Sequence, residues 1–469
     1  MSNSLLSQFS EAINASEVGV RLLITILLGL PIALLHRYTL YGKSPVLQHW
    51  FFTVCGLLIC YWNYGINALH SAVTLCVTYL ILKFLRGSSL SVILTFVVNM
   101  TYLLYGYYTT STEDYDIKWT MPQCVLTLRL IGLAFNLLDG KKSEEKLSAT
   151  QKLVALKEQP TFLEVAAFAY FPGSFLVGPQ FSMKRYLDYV KGDLMQDNSK
   201  KGEVELPDCV IPGITRILIG LLYITFYQLG TLYISDQYLL SLEFRKLAFI
   251  KRLLIIGFWG HVNLYKYISC WLFTEGVCTT FGLTYNGKDE NGQILWNGCE
   301  NVKLLTFETA NRFNHYIMSF NINTNHWCAE YIYKRVKFLG SKLYSQFVTL
   351  LFLAIWHGFH SGYYVCFFLE FIIMYAERDL SQILEKHEKL QSLMKGHPEL
   401  RILFEILSMI YTFIFMGYSL VCFIFLSYPR YHQVYSSIYY CGHIIYLTYP
   451  LISILLKKFL IKKRPKKLD

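Results

Sequence analysis

Charged residues are scarce in this sequence. Asp, Glu, Lys and Arg make up 16% of the 469 residues, whereas a soluble globular domain has about 25%. Hydrophobic residues make up 54%, which excludes a chain of ordinary soluble domains. No stretch alternates polar and apolar residues strictly enough for the strands of a membrane barrel. The composition therefore predicts an all-α protein that crosses a membrane several times.

Cysteine motifs and basic faces are also lacking. The 12 cysteines form no CxxC motif and no Cys/His group with zinc spacing. Most lie in apolar runs, where cysteine behaves as a small hydrophobic residue. Cys209 and Cys299 have more polar surroundings, but nothing in the sequence pairs them. The net charge of +11 is concentrated in short loops and the tail, as expected beside anionic lipid, so we do not expect nucleic-acid binding.

Long apolar runs recur from one end of the chain to the other. Crossing a bilayer core takes about 20 apolar residues in a helix. Residues 1–17 are polar and mildly acidic, so we expect the first run to be retained as a span and not cleaved as a signal peptide. We expect a bundle of about nine to eleven transmembrane helices. The candidate runs are about 18–36, 47–64, 67–85, 88–108, 119–138, 209–233, 247–282, 346–376, 402–427 and 434–456.

Two of these runs are too long for one upright crossing. The run at 346–376 is expected to tilt or to kink at Gly358 or Gly362. The run at 247–282 is expected either to bend at one of its glycines or to hold two segments.

Other segments do not read as clean spans. Residues 161–181 are apolar but are interrupted by Pro172-Gly173 and Gly178-Pro179. Because lipid cannot satisfy the freed backbone groups, we expect a re-entrant or protein-buried segment there. Residues 377–401 mix charged and apolar residues at helical spacing, which predicts an interfacial helix. No internal repeat is visible, which counts against many transporter folds, and we treat residues 1–469 as one membrane-embedded domain.

The chain ends in a basic tail at residues 457–469. One interpretation is a positive cap that favours the cytoplasmic side of the membrane. The sharper interpretation is a dilysine retrieval signal formed by Lys466 and Lys467, an address of the same kind as other endoplasmic-reticulum tails.

Ionisable residues inside a span indicate function by default. His357 is the outstanding case, because it lies roughly 16–21 Å along its predicted helix and therefore near the middle of the membrane. A neutral imidazole at that depth is available as a general base, although a histidine bonded to a neighbouring helix is an equal alternative. His360 follows at i+3, but Glu370 is too far along the helix to complete a metal site with the pair.

A second polar cluster occupies residues 319–327, where three asparagines and a serine precede Trp327. The simpler interpretation is a turn that caps the following helix. That helix is basic and includes Lys334 and Arg335, which form either a solvated face or a surface for the phosphates of a soluble cosubstrate. In the run at 247–282, Lys266 and Glu275 are expected to form a buried ion pair.

The two clusters resemble the motifs of the membrane-bound O-acyltransferase family. Trp356-His357-Gly358 followed by Gly362-Tyr363 is similar to its histidine motif, and Asn321 with Trp327 is similar to its asparagine motif, 36 residues upstream. Residues 115–122 and 175–183 extend the resemblance, which covers nearly the whole chain and is strongest to the lysophospholipid-acylating members.

The resemblance implies a helical bundle with a buried tunnel in which acyl-CoA and an acyl acceptor meet. The acceptor would be a 1-acyl lysophospholipid in the endoplasmic-reticulum membrane, and acyl-CoA, often polyunsaturated, would be a cosubstrate, with no cofactor or metal. His357 would be the base and Asn321 would stabilise the oxyanion or orient the thioester, with Asn323 and Asn325 as possible substitutes. Further residues expected to contact substrate are Trp356, His360, Asn325, Trp327, Lys334 and Arg335.

One conflict follows from this interpretation. If the basic segment 328–342 meets cytosolic acyl-CoA, three apparent crossings follow it and place the tail in the lumen. Either the run at 346–376 contains an extra re-entry, or residues 377–401 hide a crossing, or the tail is not a signal. The competing functions are an acyltransferase with a protein, sterol or diacylglycerol acceptor, a transporter or scramblase, and a structural membrane protein.

Overall fold

The computed structural model describes residues 5–12, 15–112, 117–195 and 208–460. Within these ranges the regular structure is helical, apart from two isolated β-bridges. The helices of 16 residues or more are Glu17–Thr39, Pro45–Tyr64, Leu69–Leu85, Ser89–Thr110, Thr120–Gly140, Val210–Tyr233, Phe249–Phe281, Lys342–His357, Ser361–Glu385, Pro398–Phe425 and Cys441–Leu460. The shorter α-helices are Leu5–Ala12, Ala149–Val154, Phe162–Ala169, Met183–Lys191, Asp236–Leu239, Leu242–Lys246, Leu304–Glu308, Phe313–Ser319, Ile322–Cys328, Glu388–Gly396 and Tyr428–Ser437.

Seven helical stretches in the described part of the chain are long and apolar enough to cross a membrane. One of them, residues 45–85, contains two α-helices joined by a short 3-10 turn. The helices Phe249–Phe281 and Ser361–Glu385 are as long, but they carry several polar or charged side chains in their middle. The all-α, multi-pass class is confirmed, while nine to eleven crossings and a single domain stay predictions.

The Phe249–Phe281 helix is continuous, so a division of the run at 247–282 into two segments is wrong, while a bend at Gly257 or Gly260 stays a prediction. It packs against three other long helices, and glycines allow the backbones to touch. A Cβ added to Gly260 would lie 2.3 Å from the Cα of Gly417, and one added to Gly276 would lie 2.6 Å from the carbonyl oxygen of Gly213. Close approach at small residues is how membrane helices gain van der Waals contact when lipid offers no hydrophobic drive.

The predicted Lys266–Glu275 ion pair is wrong. On one continuous helix, residues nine positions apart point to opposite faces and are about 13.5 Å apart along the axis. Glu275 pairs instead with Arg216 of the Val210–Tyr233 helix, at 2.7 Å. The Lys266 ammonium lies over two tyrosine rings.

Residues 161–181 form a broken segment that is buried in protein, as predicted. The Phe162–Ala169 helix ends within it and turns follow, with a cis peptide bond between Gly178 and Pro179. Arg129, from the Thr120–Gly140 helix, donates hydrogen bonds of 3.0–3.2 Å to four carbonyl oxygens in this segment. One buried guanidinium therefore satisfies backbone oxygens that a continuous helix would have satisfied internally.

The run at 346–376 is a hairpin of two antiparallel helices, Lys342–His357 and Ser361–Glu385, which we call the histidine hairpin. Near its open end, Arg378 donates to Gln346 at 3.2 Å. At its tip, the ring centroids of His357 and Tyr363 are 5.3 Å apart. The chain therefore turns back between residues 358 and 360, and the expected tilted or kinked crossing is wrong.

The hairpin removes the conflict over the tail. Lys457, near the end of the Cys441–Leu460 helix, donates to Asp379 at 2.5 Å. Asp379 is next to Arg378, which contacts Gln346, so Lys457 lies at the same end of the bundle as the start of the hairpin. Of the three alternatives given for the conflict, the structure agrees with an extra re-entry in the run at 346–376. Lys466 and Lys467 themselves lie outside the described residues, as does part of the 115–122 motif.

The remaining sequence expectations have mixed outcomes. All 12 cysteines are unpaired, including Cys209 and Cys299. The expected interfacial helix at 377–401 is only Glu388–Gly396, because residues on either side of it continue the neighbouring long helices.

We expect Arg129→Met to destabilise the protein by roughly 3 kcal/mol, because it leaves several buried carbonyl oxygens without a donor. Thermal unfolding of the purified protein in detergent would measure this. Arg86→Met, at an exposed helix end, is the matched control and should unfold close to wild type. Equal melting temperatures for the two variants would contradict the role given to Arg129.

Candidate active site

His357 is the last residue of its helix, at the tip of the histidine hairpin. The helix ends there because Gly358 has φ +125° and ψ −160°, a backbone conformation open essentially only to glycine. The tip is held by a hydrogen bond from the Gly362 amide to the Leu426 carbonyl oxygen at 2.9 Å. The Gly358 conformation and the hydrogen bond of Gly362 therefore fix the position of the His357 imidazole at the tip.

The His357 imidazole is surrounded by aromatic rings. The centroids of Trp356, Tyr363, Phe367 and Phe423 lie 4.7, 5.3, 5.4 and 5.2 Å from it. Among the described residues, none hydrogen-bonds to its ring nitrogens, so the structural alternative of a histidine bonded to a neighbouring helix is not what is seen. An imidazole without an acidic partner in apolar surroundings favours its neutral form, which can accept a proton from a ligand.

Asn321 precedes the short Ile322–Cys328 helix and has φ +52° and ψ +44°. Asparagine is one of the few residues that tolerate this left-handed conformation. Its side chain does not cap the helix, contrary to the simpler sequence interpretation. Its Oδ1 accepts a hydrogen bond from Asn301 Nδ2 at 3.4 Å, which leaves the Asn321 amide nitrogen without a hydrogen bond to the described residues.

The side-chain amides of the two neighbouring asparagines donate hydrogen bonds to backbone carbonyl oxygens of the protein. Asn323 Nδ2 donates to the carbonyl oxygens of Cys299 and Glu300 at 3.1 and 3.0 Å. Asn325 Nδ2 donates to those of Ile317 and Phe320 at 3.0 and 2.9 Å. Of the three asparagines, Asn321 has the amide that is free to act on a ligand.

Asn301 anchors this cluster. Its carbonyl oxygen accepts from the Ile322 amide at 3.0 Å and its Oδ1 accepts from the Asn323 amide at 2.9 Å. The backbone N–H of Asn301 donates to Glu275 Oε1 at 2.7 Å. Arg216 therefore holds Glu275, and Glu275 holds the backbone of the loop that positions Asn321.

His357 and Asn321 lie in the wall that two adjacent cavities share. The first cavity, of about 280 Å³, also includes Trp356, His360 and Lys266 in its wall. The second, of about 180 Å³, is lined mainly by hydrophobic residues, several of them aromatic. The residues that line both cavities are Tyr267, Trp271, Asn321, Thr324 and His357.

The second cavity includes Asn325 and Glu370 in its wall. The sequence had set Glu370 aside as too distant from His357. The antiparallel return of the hairpin brings it back to a cavity that His357 also lines.

The other predicted contact residues lie farther away. Trp327 donates from Nε1 to the Leu128 carbonyl oxygen at 2.9 Å and lines a third cavity, of about 470 Å³. Lys334 pairs with Glu330, and Arg335 forms a two-pronged pair with Asp139. Neither cation lines any of the three cavities.

Sequence reasoning missed Asn301 and the part played by Glu275. Asn301 lies in a stretch rich in Gly and Asn that reads as a solvent loop, and its contacts are with residues about 20 positions later in the chain. The intramembrane carboxylate of Glu275 was the usable signal, but it was assigned to the wrong partner.

The chain is similar in sequence to known proteins over nearly its whole length. A model of the membrane-bound O-acyltransferase (MBOAT) family matches residues 104–421, which include both Asn321 and His357. The chain is 43% identical over 461 residues to lysophospholipid acyltransferase 5 of Mus musculus, covering 98% of this chain and 93% of that protein. The enzyme of the same name from Drosophila melanogaster is 42% identical over 444 residues, covering 94% and 88%. That of Caenorhabditis elegans is 33% identical over 459 residues, covering 98% and 96%.

We expect Glu275→Gln to destabilise the protein by roughly 1.5–2 kcal/mol, because Arg216 loses its buried partner but keeps Glu300 at 3.4 Å. The glutamine oxygen can still accept from the Asn301 amide, so the loss would report the ion pair. Thermal unfolding in detergent would measure it against Glu290→Gln, which changes an exposed loop residue. If Glu275→Gln melts no lower than this control, the pair does not support the loop.

Proposed function

Because the chain belongs to the membrane-bound O-acyltransferase family, we propose that it transfers an acyl chain from acyl-CoA to the sn-2 hydroxyl of a 1-acyl lysophospholipid. The observation that carries this proposal is that His357 and Asn321 both line each of two adjacent cavities. The printed names of the curated relatives, all lysophospholipid acyltransferases, support the choice of acceptor.

In the proposed mechanism, His357 accepts the proton of the sn-2 hydroxyl as the oxygen attacks the thioester carbonyl carbon. The tetrahedral intermediate collapses, the carbon–sulfur bond breaks, and the CoA thiolate takes the proton from the imidazolium. The Asn321 amide donates to the carbonyl oxygen, where negative charge develops. The thioester supplies an activated acyl group, so the proposal requires no cofactor or metal.

The surroundings of the two side chains suit this chemistry. A bound acyl chain packed against the aromatic rings around His357 would displace water, which limits hydrolysis of the thioester. The aromatic lining of the second cavity suits an acyl chain, which would stay in apolar surroundings throughout the transfer.

We propose lysophosphatidylcholine as the first acceptor, with lysophosphatidylethanolamine and lysophosphatidylserine also used, and polyunsaturated acyl-CoA as the favoured donor. Such an enzyme would remodel phospholipids in the endoplasmic-reticulum membrane. The position of Lys457 at the same end of the bundle as the basic segment supports a tail that retrieval receptors on the acyl-CoA side can read.

We expect His357→Gln to lower kcat by at least about a hundredfold, because glutamine cannot take the hydroxyl proton. The assay is acyl transfer from arachidonoyl-CoA to lysophosphatidylcholine by purified protein, with thermal unfolding to show that the variant is folded. His397→Gln, at an exposed position, is the control. A folded His357→Gln variant with full activity would remove His357 from the mechanism.

The same assay tests the proposed acceptor. Wild-type protein that is folded but acylates none of these lysophospholipids would overturn the proposal. A panel of peptide, sterol and diacylglycerol acceptors would then identify the substrate class, and lipid transport assays would follow if every acceptor fails.

We expect Asn321→Asp to lower kcat by about a hundredfold, because a carboxylate cannot donate to the developing oxyanion. Aspartate tolerates the left-handed backbone, so the fold should persist. The exposed Asn314→Asp is the matched control. Unchanged kcat in folded Asn321→Asp would mean that Asn321 has no role in transfer.

A further inference from the structure

Lys266 is a cation near the middle of the Phe249–Phe281 helix, and it lines the first cavity together with His357 and Asn321. A charged side chain at such a depth is costly and marks function unless a partner explains it. Lys266 and His357 therefore belong to the wall of one cavity, and a ligand that fills this cavity contacts both residues.

The described residues supply no acidic partner for Lys266. Its ammonium lies 5.0 Å from the ring centroid of Tyr267 and 5.8 Å from that of Tyr227, contacts that stabilise a cation only modestly. Glu275, the nearest carboxylate along the same helix, is engaged by Arg216 at 2.7 Å. The positive charge is therefore left for a ligand.

The described lining of the first cavity includes the cations Lys118 and Lys266 but no Asp or Glu. Lys118 is engaged by the protein and donates to the Thr110 carbonyl oxygen at 2.5 Å. The second cavity contains Glu370 and no described Lys or Arg, so the two cavities differ in the sign of charge that they favour.

Resting on the proposed function, we infer that Lys266 binds the phosphodiester of the lysophospholipid acceptor. In that substrate the phosphate is joined to the reacting sn-2 carbon through one methylene and one oxygen, so it must lie close to His357 during transfer. The phosphates of acyl-CoA are separated from the thioester by the whole pantetheine arm. A cation in the cavity beside His357 is thus placed for the acceptor phosphate and not for those of the donor.

This role makes Lys266 a selector of acceptors. A phospholipid pairs its phosphate with the ammonium in the cavity, whereas a 1-acylglycerol, which has the same hydroxyl but no phosphate, leaves this half-buried charge unpaired. The wild-type protein should therefore acylate lysophosphatidylcholine with a kcat/KM at least about tenfold above that for 1-acylglycerol with the same chain.

The decisive test compares Lys266→Met with wild type and with Lys251→Met, which changes an exposed lysine on the same helix. For Lys266→Met, we expect the KM for lysophosphatidylcholine to rise at least about tenfold, while the KM for arachidonoyl-CoA stays unchanged. The preference for lysophosphatidylcholine over 1-acylglycerol should fall by a similar factor. Lys266→Arg should restore much of the affinity, because it retains the charge.

The outcomes separate this inference from the proposed function. A rise in the KM for acyl-CoA alone would assign Lys266 to the donor and overturn the inference, as would two unchanged KM values. Equal wild-type use of 1-acylglycerol and lysophosphatidylcholine would also overturn it, and this measurement requires no variant to fold. Failure of wild type to acylate any lysophospholipid would instead refute the proposed function.

Discussion

The structure depends on one constraint, which is that backbone groups in a membrane-embedded protein must be satisfied by the protein itself. A cavity for polar chemistry requires chain that is not continuous helix, and such chain exposes N–H and C=O groups. Two buried ionic side chains meet this need. Arg129 serves carbonyl oxygens of the broken segment 161–181, and Glu275 accepts from the amides of Asn301 and Val302.

Both of these irregular segments contribute walls to the first cavity. Residues 177–180 and Asn301 line it, beside His357 and Asn321. The buried charges therefore belong to the support of the site, although neither Arg129 nor Glu275 carries out the chemistry. Apolar helices could pack without them, but the two non-helical walls could not persist in a low-dielectric interior.

The sequence predicted local features well and relations between distant segments poorly. His357 stood out because an imidazole within an apolar run is costly, and Asn321 because its cluster was dense in amides. The Lys266–Glu275 pair was wrong because helix continuity, which decides whether two side chains share a face, depends on packing against neighbours. The re-entry at 346–376 was only one of three alternatives, because hydropathy records that a run is apolar but not the direction in which the chain travels. The reversal is seen in contacts across the hairpin, such as Arg378 with Gln346 and His357 with Tyr363, which the sequence does not show.

The hairpin also bears on how the protein enters the membrane during synthesis. Because the chain returns to the side from which it entered, the charged stretch from Arg378 to Arg401 begins on the side where the basic segment before Lys342 already lies. The insertion machinery is then spared the translocation of that stretch, which contains many Lys and Glu residues. A straight crossing at 346–376 would have carried it across the bilayer.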